Sequence, residues 1–164
     1  QNIIFTGNFK MDNLKIVGAY AFEHSNFNEA LSLPVCVEIG GYAFINSNFK
    51  GALSLPLCEQ IGAYAFEHSN FNEALSLPVC VEIGGYAFQS SNFSGALSLP
   101  VCTYIGGYTF ENSNFTTITI GANATLEVNC IGAHSAEFIQ DYADNGRLAG
   151  TYVWDEAKQH WIYQ

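Results

Sequence analysis

The chain is 164 residues long, enough for one sizeable core and too short to suggest two independent domains. Apolar residues make up 49% and charged residues only 12%, with 15 glycines, which excludes a disordered chain and favours a stacked structure with little charged surface. The formal net charge is −10, and Lys10, Lys15, Lys50, Arg147 and Lys158 are scattered, which argues against nucleic acid and against an anionic membrane surface.

Residues 1–16 read as an N-terminal cap. Ile3-Ile4-Phe5, Thr6-Gly7-Asn8 and Phe9-Lys10-Met11 have the pattern of a hairpin around a Gly-containing turn. Leu14 and Val17 lead from it into the first Gly-Ala-Tyr-Ala-Phe.

From Val17 to Ile131 the chain repeats. Phe22, Phe44, Phe66, Phe88 and Phe110 recur every 22 residues, as do Asn26, Asn48, Asn70, Asn92 and Asn114, each followed by Phe. Pro34, Pro56, Pro78 and Pro100 keep the same step, and so do Cys36, Cys58, Cys80 and Cys102. Within a unit, Ala30-Leu31-Ser32-Leu33 alternates with period two, so Leu31 and Leu33 point inward and Ser32 outward. Pro34 ends the strand because it has no N–H for the ladder. Cys36, Ile39, Ala43 and Phe44 follow at spacings of three to four, which predicts a short helical or irregular return, with Gly40 supplying backbone freedom. A single coil cannot bury its Leu, Ile and Phe alone, so coils must stack.

The segments Leu31–Phe44, Leu53–Phe66, Leu75–Phe88 and Leu97–Phe110, all variants of LSLPVCVEIGGYAF, resemble the BspA-like leucine-rich repeats common in bacterial surface proteins. That pattern has an I-x-I-P-like strand, an I-G-x-x-A-F turn and often a Cys before the next strand. Here Ser25, Ser47, Ser69, Ser91 and Ser113 stand at the Cys position. The resemblance runs from Val17 to Ile120. It implies an α/β-type leucine-rich-repeat solenoid with a curved parallel β-sheet on one face, and a role in adhesion or partner binding.

Residues 132–164 read as a C-terminal cap. Ser135 to Asp144 is an amphipathic helix with Phe138, Ile139 and Tyr142 on one side, Ser135 as N-cap and Asn145-Gly146 as stop. Thr151–Trp154 and His160–Tyr163 flank a polar turn and form a closing hairpin, with Trp154 and Trp161 expected to bury the most area. This tail also looks like the end of many BspA-like arrays.

Each chemical candidate has a packing alternative. In the Cys column, parallel Cβ vectors make poor disulfides, so buried free thiols are expected. Cys130 and His134 have a metal-like spacing, but two ligands are too few, and they read as cap packing. The Asn column suggests a coil-to-coil amide ladder. The tyrosines at 20, 42, 64, 86 and 108 suggest stacked rings on the convex side, or else an exposed aromatic stripe for glycan or protein. His24 and His68, beside Glu23 and Glu67, read as solvent-facing. No phosphate loop, nucleophile elbow or zinc signature is present, so no cofactor and no metal are expected.

Gly18–Phe44 and Gly62–Phe88 are identical, the mark of a duplicated 44-residue block. Variation between repeats concentrates in a few columns expected to face solvent. Those beside the strand, with the Ser column, make the candidate ligand surface: Asn28, Glu29, Ser32, Lys50, Gly51, Ser54, Asn72, Glu73, Ser76, Ser94 and Ser98. The expected function is a non-enzymatic, monomeric binding module, extracellular or at a cell surface, adhering to a protein or glycan on a host or neighbouring cell. A structural spacer is the alternative, and a polysaccharide-acting β-helix enzyme a remote one, because no cluster of acids marks a cleft. No stretch of about 18 apolar residues exists to insert in a membrane. No signal peptide is visible, and a start at Gln1 fits a trimmed fragment.

Overall fold

A computed structural model describes residues 11–164; the expected N-terminal hairpin falls mainly on residues 1–10, outside them. From Met11 the chain winds as a β-solenoid of about five turns, each close to 22 residues. Leu31, Leu33, Cys36, Ile39, Ala43 and Phe44, with their 22-residue equivalents as far as Phe110, are at most 5% exposed and form one continuous core. Ser32, Ser54 and Ser76 are exposed and Ser98 half-buried, as the period-two alternation requires.

Parallel strands stack along the coils in two columns: a Leu-Ser column, divided between a two-stranded and a five-stranded sheet, and a second column that forms one six-stranded sheet. The Leu-Ser strands pair Leu31–Ser32 with Leu53–Ser54, and Leu75–Ser76 with Ser94–Leu99, which then pairs with Asn114–Ile120. The second sheet lies in the segment expected to be a helical or irregular return. It contains Ile16–Val17, Glu38–Ile39, Gln60–Ile61, Glu82–Ile83, Tyr104–Ile105 and Thr125–Leu126, in that order. Each strand is two residues long, and Ile39, Ile61, Ile83 and Ile105 point into the core. The return is therefore extended first and a turn afterwards, and among the described repeats it contains no helix.

The turn that follows corrects the role expected of Gly40. Left-handed backbone falls on Tyr20, Tyr42, Tyr64, Tyr86 and Tyr108, at φ 57–60°, and again four residues later at His24, Asn46, His68, Ser90 and Asn112. Gly40 is not among the residues with positive φ; what it supplies is space. A Cβ on Gly40 would lie 2.6 Å from Ala19 N, and one on Gly84 2.4 Å from Ala63 N, because successive turns pack backbone on backbone. Left-handed tyrosine costs about 1–2 kcal/mol per residue. The stacked rings and hydrogen bonds such as Tyr42 N to Ala63 O, 2.9 Å, offset it.

Two phenylalanine ladders fill the interior. Phe44, Phe66, Phe88 and Phe110 stack at 5.1–5.2 Å between centroids, and the Phe49, Phe71, Phe93 and Phe115 column meets them edge to face at 5.5–6.3 Å. Each such pair adds about 0.5–1.5 kcal/mol beyond burial of area.

The last coil is one residue short: Leu99 pairs with Ile120, and the register slips between Gly95 and Ala96. The C-terminal cap then extends the main sheet. Gly150–Asp155 pairs antiparallel with Asn114–Ile120, and His160–Tyr163 pairs with Gly150–Asp155. The helix Ser135–Asp144 packs on this hairpin through Phe138 and Tyr142, with Ile139 partly buried. Tyr142 ties it to the last coil, its hydroxyl donating to Gly121 O at 2.7 Å and accepting from Ala124 N at 3.0 Å.

Two expectations for the cap are corrected. The N-cap is His134 in a left-handed conformation, not Ser135; the Ser135 hydroxyl accepts instead from Ile131 N at 3.2 Å, joining helix to solenoid. Trp161 is buried as expected, at 3% exposed, but Trp154 is only half-buried, and Tyr142 and Tyr152 fill the cap's interior beside Trp161. Phe138 covers Tyr152 and Trp161 edge-on, while Trp154, opposite Trp161 in the hairpin, is stacked on His134 at 3.8 Å.

Candidate interaction surface

The outward Ser column is set by the inward Leu column: burying Leu31 and Leu33 leaves Ser32 no choice but the outer face. Ser32 is paired with Ser54, and Ser76 with Ser98. The structure extends this hydroxyl row beyond the residues expected. Ser98 pairs with Thr119, Thr119 with Thr151, and the two threonine hydroxyls are 2.9 Å apart. Thr119 could have been found from Ile118-Thr119-Ile120, which aligns with Leu-Ser-Leu; Thr151 could not, since it arrives from the antiparallel cap.

Asn28, Glu29, Lys50, Asn72, Glu73 and Ser94 are all exposed, and Gly51 is half-buried. They do not form one straight row. Lys50 pairs with Asn70 rather than Asn72, a stagger of two residues that period counting does not show. Gly51 and Gly95 adopt φ 74° and 79° where Glu29 and Glu73 stand in the alternate coils, so glycine here provides the left-handed turn. Ser94 donates to Asn72 O at 3.2 Å and Thr116 to Gly95 O at 3.3 Å, so part of this column is occupied in joining coils.

The five tyrosines stack at 4.8–5.2 Å with ring planes within 11°. Both faces of Tyr42, Tyr64 and Tyr86 are covered by neighbours, which leaves edges and hydroxyls to a partner and not the ring faces on which a sugar would stack. The Asn column is mostly exposed; one amide bond links coils among the described residues, Asn48 Nδ2 to Asn26 Oδ1 at 3.4 Å. His24 and His68 are exposed and lie 3.5 and 3.4 Å from Glu23 and Glu67, two separate local pairs.

All five cysteines are free and fully buried. Cys36, Cys58 and Cys102 thiols donate to Glu38, Gln60 and Tyr104 carbonyls at 3.3 Å, and Cys80 to Glu82 at 3.5 Å. Burial pushes the Cys58 thiol up to about 12, Cys102 to about 11 and Cys130 to about 12, and raises Cys36 and Cys80 as well. These are protonated packing groups, not nucleophiles. His134, which shares a spacing with Cys130, is engaged with Trp154. The Ser column at the resemblance's Cys position is buried too. Ser47 donates to Phe22 O at 2.9 Å, but the Ser25, Ser69 and Ser91 hydroxyls have no partner.

The family described as BspA type leucine rich repeat region matches residues 15–135 in six copies. The chain belongs to that family. None of the curated proteins and none of the solved structures matches it. The six copies account for the coils, including the last, whose strand has lost the Leu-Ser-Leu-Pro signature. No helix among the described residues is long and apolar enough to cross a membrane. In the BspA-type array the exposed columns, rather than any enclosed cleft, offer the broadest repeated chemistry.

Proposed function

We propose that this BspA-type array is the non-enzymatic binding portion of a cell-surface or secreted protein, adhering to a protein or glycan on a host or neighbouring cell. The observation that supports the reading is the hydroxyl series: outward Ser and Thr side chains recur from coil to coil, Ser32 beside Ser54 in one sheet and Ser76, Ser98 and Thr119 in the next, which runs on into the cap at Thr151. Such a row offers many weak, equivalent contacts in place of one deep site, which suits multivalent attachment. Duplication of a 44-residue block lengthens the row without disturbing the core, since each added coil meets the same neighbours. The partly exposed and chemically plain Ser-Ala face also supports a second reading, a spacer that projects another domain.

Beads coated with the chain should adhere to cell monolayers or to immobilised matrix proteins and glycans. Adhesion should fall in the variant Ser32→Gln, Ser54→Gln, Ser76→Gln, which crowds the row while leaving the core intact. Coated beads that bind none of these surfaces better than albumin-coated beads would support the spacer instead.

A further inference from the structure

Ten large apolar side chains are well exposed among the described residues, and five of them lie on one corner of the solenoid. Leu57, Val79 and Val101 follow the proline of their coils and are 48, 36 and 47% exposed; Val37 and Val81, two residues further along their own coils, are 38 and 41% exposed. The rows on either side pair coil to coil, Leu77 N to Ser98 O before the corner and Val81 N to Glu59 O after it. The post-proline side chains therefore form a ridge along the solenoid axis. Nothing in the coil requires them to be apolar: the Ser row just before them is polar, and the column after Cys varies among Val, Glu and Thr. The four coils that have the proline nonetheless carry Val or Leu after it, at Val35, Leu57, Val79 and Val101, with Val35 half-buried. Contiguous exposed apolar surface of this kind marks a contact.

We propose that this ridge docks an amphipathic helix of a partner protein, its aliphatic face bordered by Lys or Arg, lying parallel to the solenoid axis. The inference deepens the reading of the array as a binding module by naming a partner's chemistry, and it uses a surface separate from the hydroxyl row. Two observations select the occupant. The first is spacing. Coils recur at about 4.8 Å, and the i, i+3, i+7 positions of a helix recur at about 5.3 Å along its axis, so one apolar side chain meets each coil. Same-side residues of an extended strand recur at about 6.7 Å and fall out of step within two coils. The second is charge. Glu38 and Glu82 stand exposed on one flank with Gln60 between them, and Glu59 is exposed between Val37 and Val81 in the neighbouring column, which Lys15 begins. A second copy of a chain of net charge −10 would set these carboxylates against its own, whereas a basic border complements them.

The probe is an 18-residue amphipathic Leu/Lys helix, labelled and titrated by fluorescence anisotropy, with a Leu/Glu helix as its charge-reversed counterpart. The Leu/Lys peptide should bind the intact chain and weaken as salt rises from 50 to 300 mM. Replacing Leu57, Val79 and Val101 by Ser changes no charge, exposes no core and should weaken binding at least tenfold. Glu38→Gln, Glu59→Gln, Glu82→Gln should flatten the salt dependence, and the Ser-row variant should bind as the unaltered chain does. Failure of the Ser-row variant to adhere in the bead assay bears on the hydroxyl row alone. The inference is overturned if the ridge variant binds the peptide undiminished, if the Leu/Glu helix binds equally well, or if the unaltered chain sediments as a dimer that the ridge substitutions dissociate.

Discussion

Replacing Gly84 by Ala should destabilise the array severely, although alanine is ordinarily the easier residue to order. Gly84 has no positive φ, so the backbone itself accepts a Cβ. The obstruction is the preceding turn: the added carbon would lie 2.4 Å from Ala63 N, 2.8 Å from Ala63 Cα and 2.8 Å from Gly62 C, all backbone atoms. Ordinary contact begins near 3.4 Å, so two coils must part by about 1 Å. That movement strains Gly84 N to Ile61 O, 2.8 Å, and Tyr64 N to Gly85 O, 3.1 Å, along with the tyrosine stack. Overpacking costs about 1–3 kcal/mol, and losing two weakened backbone bonds adds about 1 kcal/mol each. The expected loss is thus about 3–5 kcal/mol. Gly18 holds the equivalent place in the first coil, with nothing described within 4 Å, and Gly18→Ala should be neutral or gain a few tenths. Urea unfolding followed by tyrosine fluorescence compares the two. A Gly84→Ala variant within 0.5 kcal/mol of the parent, or a Gly18→Ala equally damaged, would refute the backbone-packing account.

Ser69→Ala should be neutral or stabilising by up to about 1 kcal/mol, since its buried hydroxyl has no partner, whereas Ser47→Ala should cost about 1 kcal/mol by losing the bond to Phe22 O; denaturant midpoints of the two decide. The four repeat cysteines should react slowly with a thiol reagent in the native state and completely on unfolding. Because burial raises their folded values above the unfolded thiol near 9, stability should be level below about pH 8 and fall as pH climbs through 9 towards 11–12; a midpoint unchanged up to pH 11 would contradict this. Truncation before Ser135 should give aggregates in light scattering, because it strips the antiparallel partner from Thr117–Ile120 and uncovers Ile131 and the last coil; a monodisperse monomer would show that the tail is not a cap.

The period of 22 residues was enough to place the inward columns, because a solenoid presents each coil with the same neighbours and an apolar column can only face the stack. Leu31, Leu33, Ile39, Phe44, the buried thiols and the outward serines were all legible for that reason. The second sheet was not. Its strands are two residues long and have no local signal, since their hydrogen bonds belong to the coils on either side. Left-handed tyrosine was illegible for a related reason: propensity places that conformation on the adjacent glycine, and only stacking across coils reveals that glycine is needed for close approach. The hydroxyl row could be read as far as Ser98, and Thr119 lay within reach, but Thr151 joins through an antiparallel pairing that no period encodes. The ridge between the sheets existed in the sequence as Val and Leu after proline. That those side chains stand in solvent, in line and beside carboxylates was decided only when the second sheet turned the corner there.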